Sequence, residues 1–430
     1  MKNVELAKKY EQYIIDMRRY FHENPELPTK EYNTVKRILE ELESMGIECF
    51  EVKDGGVVGI IRGEKDNGRA VLLRADMDAL AVQETDENLK CKRVCKSKVD
   101  GVMHACGHDG HTAMLLGAAR ILLEKRSEIE GTVYLCFERG EEGGGNVRYL
   151  LKYFDDNKIH IDSAYGIHLF AARDIPNGAV AINDGSAMAS LMLFNVTIVG
   201  RGGHGSRPDL ASSPIDAFVA IYNNLQAMRV TKIPPKAVLT YSLGKVQSGD
   251  THNVIPHTLN FVGTMRTFDR EGAGMIFYNE FKKIIDSVCE TYDCTPIYNK
   301  YTLPGLNVVN DAECAHFARR VIGEELGEEC IQVDARMGSE SFAMYLPMWP
   351  GAFAFIGVTN EEKGVGADHH NPYFDLDEDV LYKGSASAAT YAIEFLKSDV
   401  DTSARKIKGG FRAVLEMGGK TDFLEELYGE

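Results

Sequence analysis

The pattern that most restricts the fold is an alternation of short apolar, β-branched runs with a longer Ala- and Leu-rich one. RAVLLRADMDAL (Arg69–Leu80) and GTVYLCFERGEE (Gly131–Glu142) both end in carboxylates, and SAYGIHLF (Ser163–Phe170) ends beside a histidine. Between the first two lies HTAMLLGAARILLEK (His111–Lys125). The short runs read as strands and the long one as a helix. Strand-then-helix order predicts an α/β sheet, in which ligands collect beyond the strand ends.

The style changes near Ser190. SLMLFNVTIVG reads as a strand, and SPIDAFVAIYNNLQAM as a helix with Ser213 as N-cap and Pro214 at its first position. AVLTYSLGKV and TLNFVGTMRTF are two more strands, GAGMIFYNEFKKIIDSVCETY a helix and CTPIYNKYT a last strand. The order βαββαβ is the split, ferredoxin-like pattern. After it, DAECAHFARRVIGEEL, GAFAFIGV and EDVLYKGSASAATYAIEFLKS return to the α/β style. The expected architecture is therefore a discontinuous α/β domain over residues 1–186 and 302–398, interrupted by an inserted α+β domain over 187–301. A polar extension over 399–430 has no evident role.

With 430 residues the chain exceeds what one core accommodates, which agrees with two domains. A net charge of −16 repels polyanions, and no basic stripe offsets it, so a nucleic-acid partner is not expected. No charged leader with an apolar run opens the sequence, and no run of about 18 apolar residues occurs, so a soluble, cytoplasmic protein with no membrane partner is expected. Nine cysteines, an odd number in a long chain, argue for reduced thiols rather than a disulfide framework. CKRVCKSKV (Cys91–Val99) lacks a second cysteine pair and reads as a solvated loop.

The stretch MHACGHDGHTAMLLG, from Met103, is the chemically loaded one, with a cysteine, three histidines and an aspartate before a helix. Thiolate, imidazole and carboxylate are the donors that suit zinc and its neighbours. At strand ends or adjoining loops the chain offers Cys106, His108, the Glu141-Glu142 pair, His168 and His370. Asp76 and Asp78 fall two apart on a strand and share a face, so one of them could hold a metal-binding histidine in its tautomer. Hydrolysis at a metal needs one carboxylate bound to the ion and another able to take a proton from water, which adjacent glutamates supply. Gly143, Gly144 and Gly145 follow and permit tight turns. Taken singly, each residue has a plainer reading. Cys106 could be an inert core thiol, the glutamate pair a solvated turn, and His168 a buried core histidine.

RADMDAL, GVMHACGHDGHTAMLLGAA, EEGGG, GIHL, GRGGHGSRP, NVIPHTLNFVGTMRTFD, GSESF and HHNPYFDLDEDVL resemble, in order, the metal-dependent amidohydrolases of the aminoacylase/carboxypeptidase family. The branch they look most like is the hippurate hydrolase and indoleacetyl-amino-acid hydrolase type. The resemblance runs from about Arg18 to Leu396. It implies a zinc-peptidase-like catalytic domain with an inserted lid that also dimerises. It further implies two divalent ions per subunit, zinc or manganese with cobalt and nickel admissible, bound by Cys106, His108, Glu142, His168 and His370. Glu141 would be the general base, and His204 on the lid would reach the scissile carbonyl, usually in the partner subunit's site. Asn253 and Arg266 would contact substrate, although Arg266 reads equally as an ordinary cross-strand residue. His370 rather than His369 is chosen on the HNPYF match, while His104 and His111 are read as orienting the loop or capping the helix. His22, His160, His316 and Trp349 are read as structural or surface. The expected activity is cleavage of the amide of N-acyl amino acids or related small acylated amines. A dipeptidase or carboxypeptidase on the same scaffold, or a metal-dependent binding protein without turnover, are the alternatives. Three departures stand out, one of them the extension beyond Ser398, which has no recognised counterpart in the family. The family's Gln-Pro-Ala before the glutamates is Glu138-Arg139-Gly140 here, which is expected to change the charge beside the base. The GSEDF pattern becomes Gly338–Phe342 with Ser341 in place of the aspartate. Cys106 is expected to lie near solvent as a reactive thiolate when no metal is bound.

Overall fold

The structure, a computed structural model, describes residues 1–143, 145–171 and 173–429; Gly144, in the glycine run noted above, lies outside the described residues. Two compact units divide the chain. The first comprises Met1–Ala187, Val309–Ala335 and Ser341–Val414, and the second Met188–Val308, Arg336–Glu340 and Leu415–Glu430.

The first unit is built on a seven-stranded sheet in the order Glu48–Val52, Gly56–Arg62, Glu130–Glu138, Lys65–Asp76, Ser163–Phe170, Ala352–Gly357, Val180–Ala181. Its middle four strands are parallel, and antiparallel strands close both sides. Ala352–Gly357 is buried at every position and Ser163–Phe170 at all but the last, the continuous burial expected of a parallel strand covered on both faces. Helices His108–Glu124 and Leu381–Lys397 pack against each other and are buried along most of their circumference. Their Ala, Gly and Ser residues let the two backbones approach closely. Because the parallel strands run the same way, Asp76, the Glu138–Glu142 segment and His168 emerge at one edge of the sheet, with Asp76 opposite Glu138.

The second unit is an antiparallel sheet in the order Leu239–Ser248, Thr258–Thr267, Ser190–Val199, Thr295–Tyr301, with helices Pro214–Thr231 and Met275–Thr291. Burial alternates strictly along Ser190–Val199, the signature of a sheet with one covered face. Phe194, Phe261, Phe277 and Phe281 form its core. The Ser213 hydroxyl accepts from Asp216 N (3.2 Å), capping the helix that begins at Pro214. This is the βαββαβ order expected of the insertion.

Three parts of the chain sit differently from expectation. Thr302–Val308 and Arg336–Glu340, expected in the catalytic domain, belong to the second unit, where Arg266 Nη1 donates to Met337 O (2.9 Å) and Ala189 N to Gly338 O (2.9 Å). The extension after Ser398, which reads as polar in the sequence, is folded. Its helices span Gly410–Met417 and Thr421–Tyr428, and Phe411, Val414 and Leu415 are fully buried. Lys406 Nζ donates to Ile161 O (2.6 Å), Arg405 pairs with Asp311 (2.6 Å), and Arg270 donates to Met417 O. The three apolar side chains are spaced 411, 414, 415, a helical stripe that the flanking glycines and lysines obscure in the sequence. Among the described residues no helix is long and apolar enough to cross a membrane.

Candidate active site and metal centre

Cys106 and His108 flank Gly107, whose φ of 85° lies in the left-handed region and serves as the N-cap of helix His108–Glu124. That turn brings both side chains to the sheet's carboxyl edge. Glu141 and Glu142 lie in the turn beyond strand Glu130–Glu138, and His168 is near the end of its strand. His370 adopts φ 61°, a left-handed conformation costing a non-glycine residue about 1 kcal/mol or more. Its N–H donates to Ala105 O (2.8 Å), which pins it beside the Cys106 loop.

Overlapping triads of donor atoms, each within 4.8 Å of one another, connect these residues: Cys106, His108 and His168; Cys106, Glu142 and His370; His108, Glu141 and Glu142. Cys106 Sγ lies 3.7 Å from His168 Nε2, and Glu142 Oε1 lies 3.1 Å from His370 Nε2 and 3.9 Å from His108 Nε2. His108 Nε2 and Glu142 Oε1 are buried, and neither makes a hydrogen bond of good geometry, although His370 Nε2 stands 3.1 Å from the carboxylate oxygen. Two orphaned polar atoms of complementary type, aimed at the same space, are costly unless something binds between them. A divalent cation fits that requirement. The second nitrogen of His108 and that of His168 are already engaged. His108 Nδ1 lies 3.1 Å from Asp78 Oδ1, and His168 Nδ1 donates to Leu169 O (2.6 Å), leaving both Nε2 atoms directed at the cluster. Asp78 Oδ2 also accepts from Glu142 N (2.9 Å), so one carboxylate orients two donors.

The electrostatics agree with a cation-binding centre. Burial raises the Cys106 thiol well above its ordinary value, against the opposing pull of His108. Burial acts to lower His108, but Asp76, Cys106 and Asp78 outweigh it and raise its pKa well above the ordinary value. Burial acts to raise Glu142, yet His370 and His108 hold it below the ordinary carboxylate range. Cys106 is partly buried, as a position near solvent requires, but its raised pKa keeps the thiol protonated and corrects the expectation of a reactive thiolate. Without a metal the proton stays on the Cys106–His108 pair, and metal binding must displace it.

The remaining histidines separate cleanly. His111 Nδ1 lies 2.5 Å from Asp76 Oδ1, and its Nε2 accepts from Leu169 N (2.9 Å). Both nitrogens are used, and burial lowers its pKa to about 3. His369 Nε2 donates to Leu169 O (3.0 Å), and burial likewise lowers it to about 3. The backbone of one residue, Leu169, thus holds His111 through its N–H and His168 and His369 through its carbonyl. His22 bridges Asp109 (2.7 Å) and Glu84 (2.8 Å) in the interior, while His160 and His316 are exposed and pair with Asp162 and Asp184. Trp349 is buried against Phe154 and Tyr345. His204 and Asn253 are neighbours in the second unit, where strand Gly203–His204 pairs with Val254–Ile255. His204 Nδ1 accepts from Ser206 N (3.1 Å), so the ring hydrogen sits on Nε2. Arg266, on strand Thr258–Thr267, is half-buried, and burial lowers its pKa.

The sequence matches the profile of Peptidase family M20/M25/M40 over residues 72–394. The chain belongs to this family. Thermostable carboxypeptidase 2 of Saccharolobus solfataricus is 36% identical over 398 residues, covering 90% of this chain and 97% of that protein. IAA-amino acid hydrolase ILR1-like 4 of Arabidopsis thaliana is 35% identical over 424 residues, covering 94% and 92%. The crystal structure of the Bacillus subtilis YXEP protein, a dinuclear metal binding peptidase from the M20 family, superposes with a TM-score of 0.75 at 32% identity, covering 91% of this chain and 99% of that one. The protein is a metal-dependent M20 hydrolase with the α/β fold and inserted lid of that family.

Against the family pattern, the Glu138-Arg139-Gly140 departure leaves no uncompensated charge beside Glu141. Glu138 pairs with Arg74 (2.8 Å), and Arg139 pairs with Glu31 (3.0 Å) and donates to Thr29 O (2.9 Å), all four charged side chains being buried. The expected local change in charge is cancelled by partners more than sixty residues away in sequence.

Proposed function

We propose that the protein cleaves the amide bond of N-acyl amino acids or similar small acylated amines, with Cys106, His108, Glu142, His168 and His370 holding two divalent ions. The convergence of these five side chains, with Glu141 beside them and the buried atoms of His108 and Glu142 unpartnered, carries this reading. The relative that hydrolyses IAA-amino acid compounds supports the acylated substrate class. A thiolate donor favours zinc on softness, while the imidazole and carboxylate donors suit manganese, cobalt or nickel as well. Ions held there would polarise the scissile carbonyl and lower the pKa of water towards about 7. Glu141 takes the proton from the attacking water and returns it to the departing amine. Ser341 N donates to Glu141 Oε1 (2.9 Å), which fixes that carboxylate's orientation. His204, with its hydrogen on Nε2, donates to the carbonyl oxygen as charge develops there. Asn253 hydrogen-bonds the substrate, and Arg266 pairs with its free carboxylate.

The carboxypeptidase relative at 36% identity supports a second reading, a peptidase acting on the same centre. A panel of acetyl, benzoyl and long-chain acyl amino acids beside dipeptides, assayed for amine release with single-metal reconstituted protein, separates the two, since a dipeptide demands room for a free α-amino group. Turnover of acyl amino acids that is abolished in Glu141→Gln supports the proposal. Turnover restricted to peptides selects the second reading, and unchanged turnover in the variant removes Glu141 from its role.

Homodimerisation through the inserted unit is part of the proposal. Helix Pro214–Thr231 exposes Ile215, Val219 and Tyr222 at spacing four and three, one continuous apolar stripe, and strand Leu239–Ser248 is an edge of its sheet. Sedimentation that gives a monomer at micromolar concentration contradicts it.

A further inference from the structure

We propose that Glu138 and Ser341 form a relay that positions Glu141, and that Glu138 is a positioning residue for the proton-transfer step. The inference rests on the assignment of Glu141 as general base.

The geometry is a connected set of hydrogen bonds. Ser341 N donates to Glu141 Oε1 (2.9 Å), so the direction in which that carboxylate points depends on where the Ser341 backbone sits. The Ser341 side chain fixes that backbone from two sides. Its Oγ accepts from Arg74 Nη2 (2.8 Å) and donates to Glu138 Oε1 (2.6 Å). Glu138 Oε2 in turn accepts from Arg74 Nε (2.8 Å) and from the Tyr345 hydroxyl (3.0 Å). Arg74 Nη1 pairs with Asp76 (2.8 Å), which anchors the guanidinium from its other side. Arg74, Glu138 and Tyr345 are fully or almost fully buried, so no water competes for these bonds.

The donor count is what makes Glu138 specific. At least three donors, the Ser341 hydroxyl, Arg74 Nε–H and the Tyr345 hydroxyl, point at the two oxygens of Glu138. A glutamine offers one acceptor oxygen, so its amide hydrogens necessarily face at least one of those donors. The Ser341 hydroxyl must then turn its hydrogen away and accept from the amide, which replaces a short charge-assisted bond by a weaker neutral one and leaves the N–H that holds Glu141 less firmly placed. The departures from the family pattern at positions 138 and 341 thereby become one device. Glu138 and Ser341 both bond to the same arginine, Arg74. A displacement of the base by about 1 Å costs on the order of 100-fold in rate, because proton transfer needs a near-attack geometry.

The test is a carboxylate exchange in the full-length, metal-loaded protein. Glu138→Gln and Ser341→Ala each lower kcat by about 10- to 100-fold, while KM and metal content stay within twofold of the unmodified protein. The pair Glu138→Gln with Ser341→Asp recovers most of kcat, because the aspartate can accept from Arg74 Nη2 and from the new amide while the amide oxygen accepts from Arg74 Nε and Tyr345. Ser341→Asp alone, which sets two carboxylates against each other, does not recover it. Crystal structures of the same variants give a readout independent of turnover. The 341 N to Glu141 Oε1 separation exceeds 3.5 Å in the two damaging single variants and returns below that in the exchanged pair. A separation unchanged in Glu138→Gln and Ser341→Ala, or an exchanged pair no better than its worse parent, overturns the relay. Loss of metal in parallel with kcat overturns it too, by showing a merely structural role. Ser341→Ala deletes a single oxygen and carries the test if the glutamine variant folds poorly. If the unmodified protein turns over no acylated substrate, the proposed function fails, and the crystallographic separation still decides the relay.

Discussion

Replacing Asp78 with asparagine perturbs the metal centre without touching a ligand. Asp78 makes two contacts, one oxygen 3.1 Å from His108 Nδ1 and the other accepting from Glu142 N at 2.9 Å. Asparagine keeps one acceptor oxygen and presents its amide hydrogens to the other donor, so one of the two contacts is lost. A hydrogen bond to a buried charged group contributes about 1.5–3 kcal/mol, and the abandoned donor is left partly enclosed. The loss acts on the metal-bound state more than on the free one, since either His108 or Glu142 is released from the orientation that binding needs. At about 1.4 kcal/mol per tenfold, metal affinity should fall roughly 10- to 100-fold. Competition with a chromogenic chelator, titrated at fixed pH and metal, reads this directly. The unfolding midpoint of the metal-free variant should shift little. Affinity within twofold of the unmodified protein would refute the idea that Asp78 organises the two donors.

Metal-free protein should react slowly with alkylating agents at Cys106 near pH 7, because burial keeps the thiol protonated, and metal uptake should release protons detectable in a weakly buffered titration. Fast alkylation and proton-neutral binding would contradict this. Gly107→Ala forces an alanine into φ 85°, with a Cβ 3.1 Å from Leu169 Cδ1, and should cost about 1–2 kcal/mol in chemical denaturation and weaken metal binding as well. His104 is buried with both ring nitrogens unpartnered, and burial lowers its pKa to about 4. The unfolded chain binds this proton near pH 6.5 and the native one only near 4, so native stability falls as pH drops through that window, by about 3 kcal/mol in all. His104→Phe should flatten that acid limb by about one proton, as measured by denaturation at several pH values; an unchanged slope would show that His104 is not the group titrating.

The parts of the fold that were legible in the sequence are those whose burial pattern repeats over short distances. Strand Ser190–Val199 alternates residue by residue, and the helix from His108 is apolar on nearly every side, so each is identified locally. The donor cluster was legible because its members stand at strand ends or in the loops that follow, where a parallel sheet gathers residues far apart in sequence. The pairing of Asp78 with His108 was anticipated only as a choice between two aspartates; each turns out to hold a different histidine, Asp76 taking His111. Other features have no local signature. Glu138 looked like an added charge because its partners Arg74, Ser341 and Tyr345 lie 64, 203 and 207 residues away. Burial of the Cys106 thiol depends on the packing of loops around it, which composition does not report. The extension looked polar because the apolar contacts of Phe411, Val414 and Leu415 are too few to stand out among lysines and glycines.

Anomalous diffraction from crystals soaked in a single divalent metal, recorded on either side of that metal's absorption edge, tests the central claim most directly. The account predicts two peaks per chain, each within about 2.0–2.4 Å of donors drawn from Cys106, His108, Glu142, His168 and His370, with Glu141 bound to neither. Peaks elsewhere in the chain, or ordered crystals that take up no metal among these five side chains, would contradict it.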